Sequence, residues 1–209
     1  MVNAALTVKT EPAAEPLSLA TVKAHLRIDP ADNTEDTLLT AIIKASREYC
    51  ESKQRRAFCK TVYIGSLDCV PYEAYNGGIP FRLPIQPLKS ITSIKIKQVE
   101  DDGTQTDITV PASQYETDLS RGLIRLRNNF YTTIYDKSKL PSFACFQVEF
   151  IAGADTAGDP VETIPARTLQ AMLLIIGHWY EHREDASDGF KVETIPTAAD
   201  ALLQQGKVY

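Results

Sequence analysis

Apolar residues recur at helical spacing in three segments of the chain, and the longest of these predicts a helix over residues 34–56. Acidic residues at its start and basic residues at its end suit the two poles of a helix dipole. One apolar stripe along this helix consists of Leu38, Ile42, Ala45 and Tyr49. A neighbouring stripe contains Leu39, Ser46 and Cys50. Such a stripe predicts either core packing or a helix–helix interface.

Two further helices are predicted, over residues 18–29 and 165–184. Ser18 can cap the first, which Pro30 ends, and Pro165 suits the first position of the second. The helix 165–184 is apolar nearly all round, because Leu174, Ile175 and Trp179 lie off its main stripe. A helix of that kind is buried on more than one side, and a neighbouring subunit is expected to cover the second side.

Between residues 60 and 152 the pattern changes to the alternation that is typical of strands. Phe146, Val148 and Phe150 fall on one face of the last strand, and Asp102–Gly103 predicts a tight hairpin. Five to seven antiparallel strands are expected. The predicted fold is therefore α+β: a helical bundle of two N-terminal helices and a long C-terminal helix, with an inserted small antiparallel β domain.

The two ends of the chain carry weaker patterns. Residues 1–16 are rich in Ala, Pro and Glu and are predicted to form a flexible arm. Residues 185–209 are predicted to be a tail that orders on a partner, with a short amphipathic helix over 196–205. The anchors of this tail are Phe190, Val192, Ile195, Leu202, Leu203, Val208 and Tyr209. A frayed terminus is the alternative.

Charge and composition narrow the function. The 209 residues carry a net charge of -5, which argues against a dedicated nucleic-acid binder. Two pairs of basic residues, Lys95 with Lys97 and Arg125 with Arg127, each share a strand face and are possible DNA-facing groups. A solvated strand face, on which Lys and Arg discourage edge pairing, is the favoured explanation of both pairs. No segment is long and apolar enough to predict a membrane span.

One short motif suggests chemistry. His178–Trp179–Tyr180–Glu181–His182 fits the pattern H-x-x-E-H, in which two histidines one turn apart could bind zinc beside a general base. A zinc site needs a third ligand, and the remaining histidine, His25, lies in another predicted helix. A zinc hydrolase is kept as an alternative, as is a DNA-binding module, but no catalytic, metal or cofactor-binding residue is assigned.

The ordered set of segments resembles the head–tail connector, or adaptor, proteins of tailed phages. The residues that carry the resemblance are "LSLATVKAHLRID", "EDTLLTAIIKASREYCE", "IPFRLPIQPLKSITSIKI", "YETD", "VEFIAGAD" and "IPARTLQAMLLIIGHWYEHRED". They span roughly residues 17–184, which is the predicted connector domain. The stretch "NNFYTTIYDKSKLPS" and the long tail depart from the shorter members of that family.

The resemblance implies a structural protein of the virion neck, assembled in the host cytoplasm, and no enzyme. Such proteins form a ring, typically of twelve copies, beneath the portal at the capsid vertex. The ring extends the tunnel through which double-stranded DNA passes without sequence-specific binding, and it docks the next neck or tail component. In that setting the "HWYEHRE" segment is a structural feature of the last helix, and the tail reaches towards the portal. The subunit interface is expected at Leu38, Ile42, Tyr49, Leu174, Ile175 and Trp179.

Overall fold

The computed structural model describes residues 5–71, 80–127, 137–154, 164–182 and 197–206. Within these ranges the chain forms four α-helices and eight strands. The helices are α1 (Leu19–Leu26), α2 (Asp36–Gln54), α3 (Ala166–Glu181) and α4 (Thr197–Gln204). The strands are β1 (Ala5–Thr10), β2 (Thr61–Leu67), β3 (Phe81–Arg82), β4 (Leu88–Val99), β5 (Gln105–Thr109), β6 (Tyr115–Asp118), β7 (Leu123–Leu126) and β8 (Phe146–Ala152).

The chain divides into two compact units. A β unit is made of residues 1–12 and 60–153, and a helical unit is made of residues 13–59 and 154–209. The β unit is thus inserted between the second and third helices of the helical unit, and the chain has the mixed α+β composition that the sequence predicts.

The β unit contains two antiparallel sheets. One has five strands in the order β1-β2-β8-β4-β5, and the other has three in the order β3-β7-β6. Alternate residues of β8 are buried, beginning with Phe146, whose ring meets that of Phe81 on β3 edge-on at 5.6 Å between centroids. The second sheet adds the fully buried Ile124 to the core. The unit is therefore sandwich-like, with apolar positions facing inwards.

The predicted Asp102–Gly103 turn joins β4 to β5. Gly103 has a φ of +83°, and the backbone N–H of Glu100 donates to the Thr104 carbonyl at 2.8 Å. A glycine adopts this left-handed conformation without steric cost, which is why the dipeptide is a good hairpin signal.

The N-terminal segment differs from the flexible arm that the sequence predicts. Residues 5–10 form the edge strand β1, which pairs with β2 from Ala5 opposite Ser66 to Thr10 opposite Val62. Lys9 also pairs with Glu149 at 2.8 Å. Composition suggested mobility because the segment cannot fold alone, but an existing sheet edge satisfies its backbone hydrogen bonds.

The helical unit is built around one apolar core. Ser18 caps α1 by accepting a hydrogen bond from the Thr21 backbone N–H at 3.1 Å, and Leu17 and Val22 on either side of this cap are buried. The core residues of α2 and α3 are Leu39, Ile43, Cys50, Ala171, Met172, Ile175 and Ile176. Within the described ranges, no helix is both long and apolar enough to cross a membrane.

The stripe of α2 that is buried in the core is not the one on which the sequence pattern placed most weight, but the stripe next to it. Leu39 and Ile43 are buried, whereas Leu38 is exposed and Ile42 is half-buried. The two stripes differ by one residue, about 100° around the helix. Both are apolar in the sequence, so periodicity alone cannot say which of them faces the core.

The C-terminal helix α4 packs onto the same core. Ala199 and Leu203 are buried there, and Leu202 packs against them while half-buried. A tail that orders only on a partner was expected for this region. The described residues 197–206 instead fold against their own chain, since two apolar positions one turn apart are enough to bury one face of a short helix.

Candidate assembly surfaces

The outer side of α2, together with Trp179 of α3, forms a surface that we term the α2 flank: Leu38, Ile42, Tyr49 and Trp179. Leu38 is 36% exposed, and the other three are half-buried against the core. The rings of Tyr49 and Trp179 meet edge-on, with centroids 6.1 Å apart, and the Lys53 ammonium lies 5.4 Å from the Tyr49 ring. The chain's own packing therefore leaves this apolar surface partly uncovered.

The two remaining predicted interface residues lie on α3. Leu174 is half-buried and packs against the core, so part of its side chain reaches the surface. Ile175 is fully buried within the helical unit. This corrects the expectation for Ile175, which belongs to the core of the subunit and not to an interface between subunits. Residues of α4 belong to the same core cluster as those of α3, so part of the apolar surface of α3 is buried within the subunit.

The predicted DNA-facing residues of β4 lie opposite a carboxylate. Lys95 Nζ is 3.3 Å from Asp107 Oδ2, and Lys97 is the direct cross-strand partner of Asp107 on β5. Further along the same five-stranded sheet, Lys9 pairs with Glu149. The solvent-facing side of this sheet thus carries both signs of charge in close alternation.

Arg125 lies on β7 of the three-stranded sheet and Arg127 directly follows that strand, whereas the two lysines lie on β4 of the five-stranded sheet. Arg125 is exposed on β7 directly opposite Glu116 of β6. Arg127 Nη2 lies 3.4 Å from Glu116 Oε1. Each predicted cation is therefore accompanied by an acidic side chain, which weakens its attraction for phosphate.

The docking of α4 depends on a buried amide. Gln54, at the end of α2, donates from Nε2 to the Leu203 carbonyl at 3.0 Å and lies 3.4 Å from Thr168 Oγ1. Gly206 lies so close that a Cβ at this position would be 2.4 Å from Gln54 Nε2. Five of the predicted tail anchors fall outside the described residues: Phe190, Val192, Ile195, Val208 and Tyr209.

The H-x-x-E-H segment forms the last turn of α3. The rings of His178 and His182 are tilted against each other with centroids 4.6 Å apart, and His182 Nδ1 lies 3.1 Å from the His178 carbonyl oxygen. Glu181 is exposed. Within the part of the chain that the structure describes, no three His, Cys, Asp or Glu side chains gather around one point. The described residues therefore provide no third ligand for the zinc alternative.

A buried ion cluster in the helical unit has no counterpart in the sequence prediction. Arg47 of α2 donates to Glu15 and Glu51, each at 2.7 Å, and its side chain is almost fully enclosed. Glu51 also accepts the backbone N–H of Phe58 through Oε1 at 2.6 Å. The cluster fastens two segments to α2: the one before α1 and the one after α2. The i,i+4 spacing of Arg47 and Glu51 was the available signal, and it is usual on exposed helix faces.

Comparison with solved structures shows the same fold in proteins of gene transfer agent (GTA) particles. A chain from the neck of an empty GTA particle computed with C6 symmetry matches with a TM-score of 0.69 and 20% identity, covering 98% of this chain and 96% of that one. A chain from the native GTA virion matches with a TM-score of 0.64 and 19% identity, covering 98% and 95%. A chain from the neck of a native GTA particle computed with C12 symmetry gives 0.64 and 20%, covering 98% and 96%.

At these identities the likeness establishes the fold. No curated protein matches the chain. A family model described as phage gp6-like head-tail connector protein matches residues 16–127, which is more than half of the chain and includes α1, α2 and most of the β unit. The chain therefore belongs to the phage gp6-like head-tail connector family, a family of structural proteins of the virion neck.

Proposed function

We propose that this protein is the subunit of an adaptor ring that joins the portal at the capsid vertex to the neck or tail. The ring extends the tunnel through which double-stranded DNA leaves the head. The chain acts as a structural component, without a cofactor. Its partners are further copies of itself, the portal protein and the next neck or tail component.

The partly exposed α2 flank is the main observation that supports assembly of the subunits into a ring. Leu38, Ile42, Tyr49 and Trp179, with Leu174 nearby, offer an apolar surface that the subunit's own core leaves half-covered. Exposed apolar surface of this kind is characteristic of protein interfaces. The necks that share the fold were computed with C6 and C12 symmetry, which supports a cyclic arrangement here.

The strand faces suit DNA that slides without being held. A protein that neutralises many phosphates gains affinity from each released counterion and would resist the movement of DNA. Lys95 and Arg127 each lie within 3.4 Å of a carboxylate, so neither presents an isolated positive charge. Binding to DNA is accordingly weak and independent of sequence, whichever of these faces lines the tunnel.

The C-terminal segment is proposed to contact the portal. Leu203 holds α4 on its own core, so the contact with the portal falls to the remaining anchors of the segment. Truncation of the chain before α4 would expose core surface and confuse the test. Ala substitutions at Phe190, Ile195 and Tyr209, with the core-directed Leu203→Ala variant as comparison, separate portal binding from folding.

Native mass spectrometry of the purified chain tests the ring directly. A closed assembly is expected at a multiple of the 23.1 kDa subunit mass, alone or after mixing with portal protein. Trp179→Ala should shift the distribution towards monomers. The matched control is Lys44→Ala, which changes an exposed residue on a different side of α2. A chain that remains monomeric both alone and with portal would refute the ring, and one bound zinc per chain would favour the hydrolase alternative instead.

A further inference from the structure

Phe143 is the most exposed large apolar residue of the described chain. Its side chain is 77% exposed, compared with 48% for Val8 and 36% for Leu38. Phe143 lies before β8, which begins at Phe146. Phe143 therefore lies in a loop, with its ring directed into solvent.

The backbone next to Phe143 is held in place by hydrogen bonds. Ala144 has a φ of +50°, a left-handed conformation that is costly for a residue with a Cβ. Its N–H donates to Asp68 Oδ1 at 2.9 Å, and the carbonyl of buried Cys145 accepts the Lys97 N–H at 2.8 Å. Two hydrogen bonds and a strained residue thus hold the backbone beside an exposed aromatic side chain, an arrangement that points to a contact surface.

A cyclic assembly needs two different surfaces on each subunit, because every copy contacts its two neighbours through opposite sides. The projecting side chain of Phe143 requires an apolar surface on which it can pack. Within the described ranges the α2 flank offers one: the edge-on pair Tyr49 and Trp179, bordered by Leu38 and Ile42. An aromatic ring packs well against the edge or face of another, with an attraction beyond its buried area.

We propose that Phe143 of one subunit packs onto the α2 flank of the next subunit. The inference rests on the proposed ring and identifies the two complementary surfaces that close it. Each copy contributes one Phe143 and one α2 flank, so that an open chain of subunits leaves one of each at its ends and a closed ring leaves none.

Phe143→Ala is expected to weaken self-association by about tenfold or more, because a buried Phe side chain contributes on the order of that factor to an interface. Sedimentation equilibrium over a concentration series measures the change. Thermal unfolding of the monomer should be unaltered, since the Phe143 side chain makes little contact within its own chain. Val8→Ala removes apolar surface from another exposed position and should leave association as in the wild type.

Cysteine cross-linking tests the pairing itself. The background is Cys69→Ser, because Cys69 is exposed and the other three cysteines are buried. In this background, Phe143→Cys combined with Leu38→Cys should give, under diamide oxidation, a ladder of disulfide-linked oligomers that ends at the closed ring. Phe143→Cys combined with Lys44→Cys, on a different side of α2, should give no ladder.

The possible outcomes distinguish failure of the proposed Phe143 contact from failure of the proposed subunit ring. If the wild type assembles but Phe143→Ala assembles equally well, and Phe143→Cys combined with Leu38→Cys gives no ladder, the contact is overturned and the ring stands. If Phe143→Ala forms rings but loses binding to portal or tail protein, Phe143 serves that partner and the contact is again overturned. If the wild type fails to assemble at any concentration or with portal, the ring and the contact fall together.

Discussion

Arg47 and Glu51 lie one turn apart on α2, and the guanidinium Nη1 is 2.7 Å from the carboxylate Oε2 although both side chains are buried. The Glu15 carboxylate also contacts the guanidinium, with Oε2 at 2.7 Å from Arg47 Nε. Through the Phe58 N–H, Glu51 also holds the segment that leaves α2. The buried ion cluster therefore ties together parts of the helical unit that are distant in sequence, and its integrity should determine the stability of that unit.

Arg47→Ala should lower the free energy of unfolding by about 3–5 kcal/mol. Removal of the guanidinium leaves the buried Glu51 carboxylate without its cation, and an unpaired buried charge is costly. Urea denaturation followed by circular dichroism measures the change. Lys44→Ala is the matched control, because it removes an exposed i,i+4 pair with Glu48 and should cost no more than about 0.5 kcal/mol. Equal effects of the two substitutions would contradict a stabilising role for the cluster.

Local signals in the sequence were sufficient for features that depend on neighbouring residues, but not for contacts between distant segments. The cap at Ser18 and the turn at Gly103 are confirmed, because each depends on a few neighbouring residues. The edge strand β1 was missed, because its stabilising contacts come from β2, which lies far along the chain. The docking of α4 was missed for the same reason, since Gln54 is distant from Leu203 in the chain.

The prediction of surface residues from the sequence was limited in a similar way. Apolar spacing found both stripes of α2 but could not tell which one faces the core, and it counted the buried Ile175 among surface residues. The basic pairs were visible in the sequence, whereas their acidic partners across the strands depend on register. The exposure of Phe143 was not predicted, because this residue lies before β8, where the alternation of buried and exposed strand positions does not apply.

Gly206→Ala should loosen α4 from the helical unit. A Cβ at this position would displace Gln54 Nε2 from the Leu203 carbonyl, and the loss of a buried hydrogen bond costs about 1–3 kcal/mol. Hydrogen exchange of the α4 amides should accelerate correspondingly, with little change in the amides of β8. Gln205→Ala, at the adjacent exposed residue, should leave exchange unaltered. Undiminished protection in Gly206→Ala would mean that Gln54 can move aside without cost.

The four cysteines should differ sharply in reactivity. Burial raises the pKa of Cys50 to about 12, with a further contribution from the Glu51 charge, and raises the pKa of Cys59 to about 12 for the same main reason. At about pH 8 both are therefore protonated thiols, which are poor nucleophiles, and they are also enclosed. Burial raises the pKa of Cys145 as well, while Cys69 is exposed.

A native sample treated with a maleimide at about pH 8 should consequently take up one equivalent, at Cys69, and four equivalents after denaturation. Mass spectrometry counts the adducts. The Cys69→Ser variant should take up none in its native state. Rapid labelling of Cys50 in native protein would show that the region around Glu51 opens readily, contrary to a stable ion cluster.

Removal of the acidic partners on the strand faces should increase affinity for duplex DNA. Asp107→Asn combined with Glu116→Gln leaves Lys95 and Arg127 without these carboxylates and changes the net charge from -5 to -3, since two carboxylates are lost. If both cations then reach phosphate, the slope of log K against log salt should steepen by about 1.8, from about 0.9 per phosphate contact. Fluorescence anisotropy with a labelled duplex at low salt measures both quantities.

The control must change net charge without uncovering these cations. Asp29→Asn combined with Glu181→Gln removes two exposed carboxylates from the helical unit and reaches the same net charge. A tighter complex with the strand-face variant alone would mean that the carboxylates keep DNA from being held, as a tunnel for passing DNA requires. Equal affinity of the two variants would show that total charge matters and not its position, and the strand faces would then have no special relation to DNA.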